Sequence, residues 1–163
     1  MKVIFLDVDG VLNFLGTTAS SPGGWVGIAS PSVKVLRDIV KETGAYLVLS
    51  STWRRNWSKN EEECSEDGKY LNRRLNRYGL HIIDKTIEED EDLRGAAIKE
   101  WLNRHPHVES WIVLDDNVFI DFKTEGIMPH LILTDGRMGL TASDAKECIR
   151  KLNEIHKEEE EHV

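Results

Sequence analysis

Short apolar runs alternate with longer stretches of helical periodicity along most of the chain. Strands are expected over residues 2–7, 45–50, 81–86, 110–115 and 130–134, and helices over 31–43, 61–78, 94–104 and 142–157. The first four strand runs are continuously apolar rather than alternating, the pattern of strands covered on both faces. Strands separated by helices predict an α/β fold with a doubly wound parallel sheet. Punctuation supports the boundaries. Ser30 before Pro31 reads as an N-cap with proline in the first turn, and Gly44 as a left-handed helix end. Thr141 with Asp144 reads as the capped start of the last helix, and Pro106 stops the helix before it.

The 163 residues are enough for one domain with a substantial core. A single domain over 1–163 is expected, with a Gly- and Ser-rich connection at about 14–30 and a small insertion at about 55–80. With 40% hydrophobic and 31% charged residues the composition is that of a soluble globular protein. No apolar run approaches the roughly 18 residues of a membrane span. Cys64 and Cys148 lie in unlike contexts, which suggests free thiols and a cytoplasmic location. Twenty-one basic against 29 acidic residues give a net charge of −8, which excludes broad binding to long duplex nucleic acid. A phosphorylated small molecule or a nucleic-acid end remains compatible, and oligomeric state is left open. The acidic runs Glu61–Asp67, Glu88–Asp92 and Glu158–Glu161 are expected to be solvated surface.

Ligands of such sheets bind beyond the carboxyl ends of the strands, so the strand ends carry the chemistry. The first strand runs into Asp7-Val8-Asp9, the second into Ser50-Ser51 and the fourth into Asp115-Asp116; Arg94-Gly95 opens the helix after the third. A buried strand that ends in carboxylates is costly to desolvate unless a cation or ligand sits there. Asp7 and Asp9, about 6 to 7 Å apart along an extended chain, point to the same side, so one can attack a phosphate while the other handles protons. Magnesium prefers such oxygen ligands and would offset repulsion between the nucleophile and an anionic phosphate. Gly10 allows a tight turn that frees backbone N–H groups for the phosphate. Trp53 and Arg54, with Arg55 and Trp57, follow the second strand; they either grip and stack substrate or bury and pair with the acidic run. Asp116 either supports a metal or caps a helix starting near Asn117. Trp101 and Trp111 read as core, and His105, His107 and His130 as loop residues rather than a metal site.

"DVDGVLN", "LVLSSTWR", "RGAAIKEW" and "WIVLDDN", in this order, resemble the four motifs of the haloacid dehalogenase (HAD) superfamily of phosphohydrolases. The "SSTWR" and the late "GLT" are similar to the small HAD domains of Swiss Army Knife RNA repair proteins. The resemblance implies a magnesium-dependent phosphatase of nucleotides or nucleic-acid ends. In it Asp7 is the nucleophile and Asp9 the general acid and base, with its backbone carbonyl also on magnesium. Ser50, with Ser51 beside it, binds the phosphate, Asp115 is the acidic metal ligand, and Asp116 supports the ion from further out. The third motif departs from the family pattern, with Arg94 where many members have lysine. Lys85 and Lys99 are rivals, and Arg94 is favoured because a helix N-terminus attracts anions. A catalytically silent phosphate-binding module, or a phosphotransferase to an acceptor other than water, are the alternatives. In the same resemblance residues 14–30 are the flap insertion where a cap would sit, here too short for a folded cap, which leaves the site open to bulky substrates.

Overall fold

The computed structural model describes the backbone of residues 1–161 and the side chains of residues 1–154. Among the described residues, β1 (Lys2–Leu6), β2 (Tyr46–Leu49), β3 (Ile82–Lys85), β4 (Ser110–Asp115) and β5 (Leu131–Leu133) form one sheet in the order β3-β2-β1-β4-β5. Every pairing in it is parallel. The helices are α1 (Ser30–Thr43), α2 (Glu66–Asn76), α3 (Arg94–Asn103) and α4 (Ala142–Glu161).

The continuous apolar runs divide by parity, as a pleated strand requires. Ile4 and Leu6 of β1 join Leu47, Leu49, Ile112 and Leu114 on one face, covered by Leu36 and Ile39 of α1, Leu71 and Leu75 of α2, and Leu152 of α4. Val3, Phe5, Val48 and Val113 form the other face under Ile98 and Trp101 of α3 and Phe122 of the β4–β5 connection. Phe5 takes Trp101 and Trp111 edge-on, at 5.5 and 5.9 Å between ring centres. The doubly wound expectation is met. The chain leaves β1 toward β2 and β3, then crosses to β4 on the opposite side of β1. Strand order therefore reverses between β1 and β4.

Gly44 ends α1 in the left-handed region at φ 70°, its N–H on the Val40 carbonyl. Thr141 and Asp144 cap α4 reciprocally: the Thr141 N–H reaches Asp144 Oδ2 at 2.9 Å, and the Asp144 N–H reaches Thr141 Oγ1 at 3.2 Å. Three local expectations change. Ser30 is the first residue of α1 rather than its cap, the extended Ala29 holding the cap position, and the Ser30 hydroxyl accepts from Arg74 of α2 at 2.8 Å. The helix expected over 61–78 is split into a 3-10 turn at Glu61–Glu63, capped by Asn60, and α2, capped by Ser65. Two capping side chains five residues apart each start their own element. Residues 117–126 form turns, not a helix, so Asp116 caps none. The side chains of the Glu158–Glu161 run lie outside the described residues.

Candidate active site

β1 and β4 are neighbours in register, Leu6 opposite Leu114, and the Asp7 N–H continues the ladder onto the Leu114 carbonyl at 3.0 Å. Asp7 and Asp115 thus emerge side by side at the point where strand order reverses. Carboxylate oxygens of Asp7, Asp115 and Asp116 lie within 4.8 Å of one another, Asp7 and Asp115 buried and Asp116 exposed. Gly10, at φ +79°, folds the chain after β1 against Asp116 so closely that a Cβ there would overlap the Asp116 carboxylate. Its carbonyl accepts from the Thr134 hydroxyl at 2.8 Å, tying the turn to the end of β5.

The buried Arg94 answers part of this charge. Its Nη1 lies 2.9 Å from Asp115 Oδ2 and 3.6 Å from Asp7 Oδ1, its Nε 3.1 Å from Glu88 Oε1, and its guanidinium carbon 4.2 Å from the centre of the Phe119 ring. Glu88, its side chain wholly buried, also takes Arg54 Nη1 at 3.2 Å. Burial, with Asp115 adding to it, pushes the Asp7 carboxyl well above the usual carboxylate range despite Arg94 and the Val8 N–H. Burial likewise raises Asp115 against the pull of Arg94. Burial alone would lower Arg94, but Asp7, Asp115 and Glu88 outweigh it and hold the guanidinium firmly charged. Arg54 is lowered, burial outweighing Glu88.

Asp7, Asp115, Asp116 and Glu88 against Arg94 and Arg54 leave a surplus of negative charge in a half-buried site. Three hard oxygen donors converging there suit a small divalent cation such as magnesium, so the residues present fit one. Beside them the Ser50 hydroxyl is buried without a hydrogen-bond partner. An orphaned buried hydroxyl is rare and points to an oxygen-bearing ligand.

The other expected residues take varied places. The Asp9 carboxylate stands apart from the three-acid group, held by Asn13 Nδ2 at 3.0 Å and by the Trp53 indole N–H at 3.3 Å. Ser51 is buried, its hydroxyl accepting the Trp53 N–H at 3.2 Å to cap the turn Thr52–Asn56. The Gly10 N–H, expected free for phosphate, donates to Asn13 Oδ1 at 2.9 Å instead. Trp53 is buried in the core with its indole N–H at Asp9, where it lines a cleft, and Arg54 is turned inward to Glu88 and the Ser51 carbonyl. Both are expected at the substrate; the Arg54 guanidinium is committed to Glu88 instead, while Trp53 keeps its polar edge in the cleft beside Asp9. Of the rivals to Arg94, Lys85 donates to the carbonyls of Arg54 and Trp57, and Lys99 lies over the Trp111 ring. Arg94 alone of the three meets the carboxylates, though not for the reason expected. The N–H groups of Gly95 and Ala96 at the start of α3 are already taken by the two Asp121 oxygens, at 2.9 and 2.8 Å.

Glu88 and Asp67 correct the solvated reading of their acidic runs: Glu88 is buried between two arginines, and Asp67 is buried with the flap's Gly23 N–H on its carboxylate at 2.8 Å. Asn13, Glu88 and Asp121 were missed. Asn13, four residues after Asp9, was legible as a local Asx contact, whereas Glu88 and Asp121 act across the fold.

A parallel sheet with acids at the ends of its two central strands, a hydroxyl beyond a third and a cation facing them defines an HAD-type domain. The family model for the HAD domain in Swiss Army Knife RNA repair proteins matches residues 3–145, and the chain belongs to that family. This membership carries an HAD-type phosphohydrolase or phosphotransferase-like function. No curated protein and no solved structure matches the chain.

Proposed function

We propose that the chain is a magnesium-dependent phosphomonoester hydrolase acting on nucleotides or phosphorylated nucleic-acid ends. The observation that carries this reading is the convergence of Asp7, Asp115 and Asp116 within 4.8 Å beside the unpartnered Ser50 hydroxyl. An oxygen of Asp7 attacks phosphorus; the ester P–O bond breaks and Asp9 gives its proton to the departing oxygen. Water then attacks the aspartyl phosphate, Asp9 takes its proton, and the P–O bond to Asp7 breaks, releasing phosphate. A magnesium ion held by Asp7, Asp115 and Asp116 supplies charge neutralisation for the approach of two anions. Ser50 donates to a phosphate oxygen. Arg94 contributes fixed positive charge beside Asp7 and Asp115. Asn13 and Trp53 fix the Asp9 carboxylate, the position a proton donor needs.

Purified protein with magnesium should hydrolyse a generic aryl phosphate, and Asp7→Asn should abolish it; an undiminished rate in that variant refutes the reading. One observation favours a second reading. Arg94 already pairs with both Asp7 and Asp115, so a fixed guanidinium ties up the carboxylates that turnover would need free. Metal-dependent binding of beryllium fluoride with no turnover of any phosphate ester would select that module.

A further inference from the structure

One tryptophan behaves unlike the rest. Trp53, Trp57 and Trp101 are buried and Trp111 is half-buried, but Trp25 is 66% exposed. It is not on a loose tip. The Trp25 N–H donates to Ser21 Oγ at 3.2 Å and its carbonyl accepts the Ser21 N–H at 2.9 Å, with Gly24 in the left-handed region at φ +85° between them. Ser20 and Val26 form a bridge, Asp67 holds the Gly23 N–H at 2.8 Å, and the Tyr70 hydroxyl accepts the Ile28 N–H at 3.0 Å. A large ring held out in water on a tied-down loop is a surface prepared for contact.

The ring borders a cleft of about 290 Å³, whose other walls are Asp9, Thr52, Trp53, Arg55 and Asn56. Asp9 is the group that protonates the departing oxygen in the reading above, so this cleft adjoins the leaving-group side of the phosphate. Arg55 is an exposed cation there, and its ion pair with the equally exposed Glu91 is of the surface kind that contributes little. An anion on the ligand competes with it.

We infer that this cleft is a leaving-group subsite for a nucleic-acid end: the terminal base stacks on Trp25, and the neighbouring phosphodiester is held by Arg55. A flat ring and an anion, presented together next to a phosphomonoester, are what such an end supplies. The inference rests on the phosphatase reading for its orientation but not for its contacts.

The test compares wild type, Trp25→Ala, Trp25→Phe, Arg55→Ala and Glu91→Gln. The substrates are single-stranded trinucleotides carrying a 3′- or a 5′-phosphate, a phosphotyrosine peptide, and glycerol 2-phosphate, which has no ring. Trp25→Ala lowers the ratio of kcat/KM for the better trinucleotide to that for glycerol 2-phosphate about 5- to 150-fold, the worth of one stacked base, and Trp25→Phe restores most of it. Arg55→Ala lowers the same ratio and reduces its salt dependence, and Glu91→Gln raises it. An unchanged ratio in Trp25→Ala, or a wild-type preference for the phosphotyrosine peptide, overturns the inference. Anisotropy of a labelled trinucleotide separates the two readings. Trp25-dependent binding without turnover of any ester keeps the subsite and removes the phosphatase. Turnover of glycerol 2-phosphate with trinucleotide binding indifferent to Trp25 does the reverse.

Discussion

Asp7 and Asp9 are two residues apart and chemically alike, and in the proposed mechanism their different surroundings divide the work between them. Asp7 is buried against Asp115, while Asp9 is exposed at the cleft with Asn13 and Trp53 each donating to one oxygen. Asp9→Asn keeps the shape and removes the transferable proton, so kcat on an alkyl phosphate should fall by about 10²- to 10⁴-fold. A loss below twofold in steady-state assays would assign the proton to another group. Glu88 decides a different matter. Its side chain lies wholly buried between Arg54 and Arg94, and Glu88→Gln leaves the buried Arg54 without its carboxylate while Arg94 keeps Asp7 and Asp115. Breaking a buried pair of this kind costs about 3 to 5 kcal/mol, read as a lower urea midpoint. Unchanged stability would show that solvent reaches the cluster.

At the scale of elements, α3 matters because its first residue is Arg94. Both oxygens of Asp121 hold the N–H groups of Gly95 and Ala96, which fixes where the helix starts and hence where Arg94 points. Asp121→Ala should cost about 0.5 to 2 kcal/mol, as loss of an N-cap does, with a matching fall in urea midpoint. The elements themselves were largely legible. Continuous apolar runs gave the parallel sheet, and acids directly at the ends of β1 and β4 marked the site because strand and function adjoin in sequence. The rest depends on distant packing. Glu88 reads in sequence as one more surface acid, and only the fold sets it between Arg54 and Arg94; Asp121 serves a helix 26 residues earlier. Arg54, suited by type to bind substrate, is turned inward to Glu88 from the 3-10 turn that Ser51 caps.

The whole molecule carries its site as a built-in instability. Asp7 and Asp115 titrate above their ordinary value of 3.8 in the fold. In chelator the folded state therefore binds these protons more tightly than the unfolded chain does. Their contribution to stability is greatest at or below pH 3.8 and declines as pH rises through the raised folded values. Asp7→Asn removes one share of that decline. In chelator the variant should gain on the wild type as pH increases across this window, by about 2 to 4 °C in Tm per kcal/mol relieved. Parallel Tm profiles for the two proteins would show that Asp7 is not strained by its burial. Magnesium should raise the wild-type Tm and leave the variant's nearly unmoved. Around the site the loops after β1, β4 and β5 expose Leu15, Ile120 and Met138.

The most direct measurement is covalent. Protein mixed with magnesium and a ³²P-labelled aryl phosphate, quenched in acid within one turnover and mapped by peptide, should carry acid-stable, hydroxylamine-labile label on Asp7 and none in Asp7→Asn. Turnover without label on Asp7, undiminished in Asp7→Asn, would contradict the account.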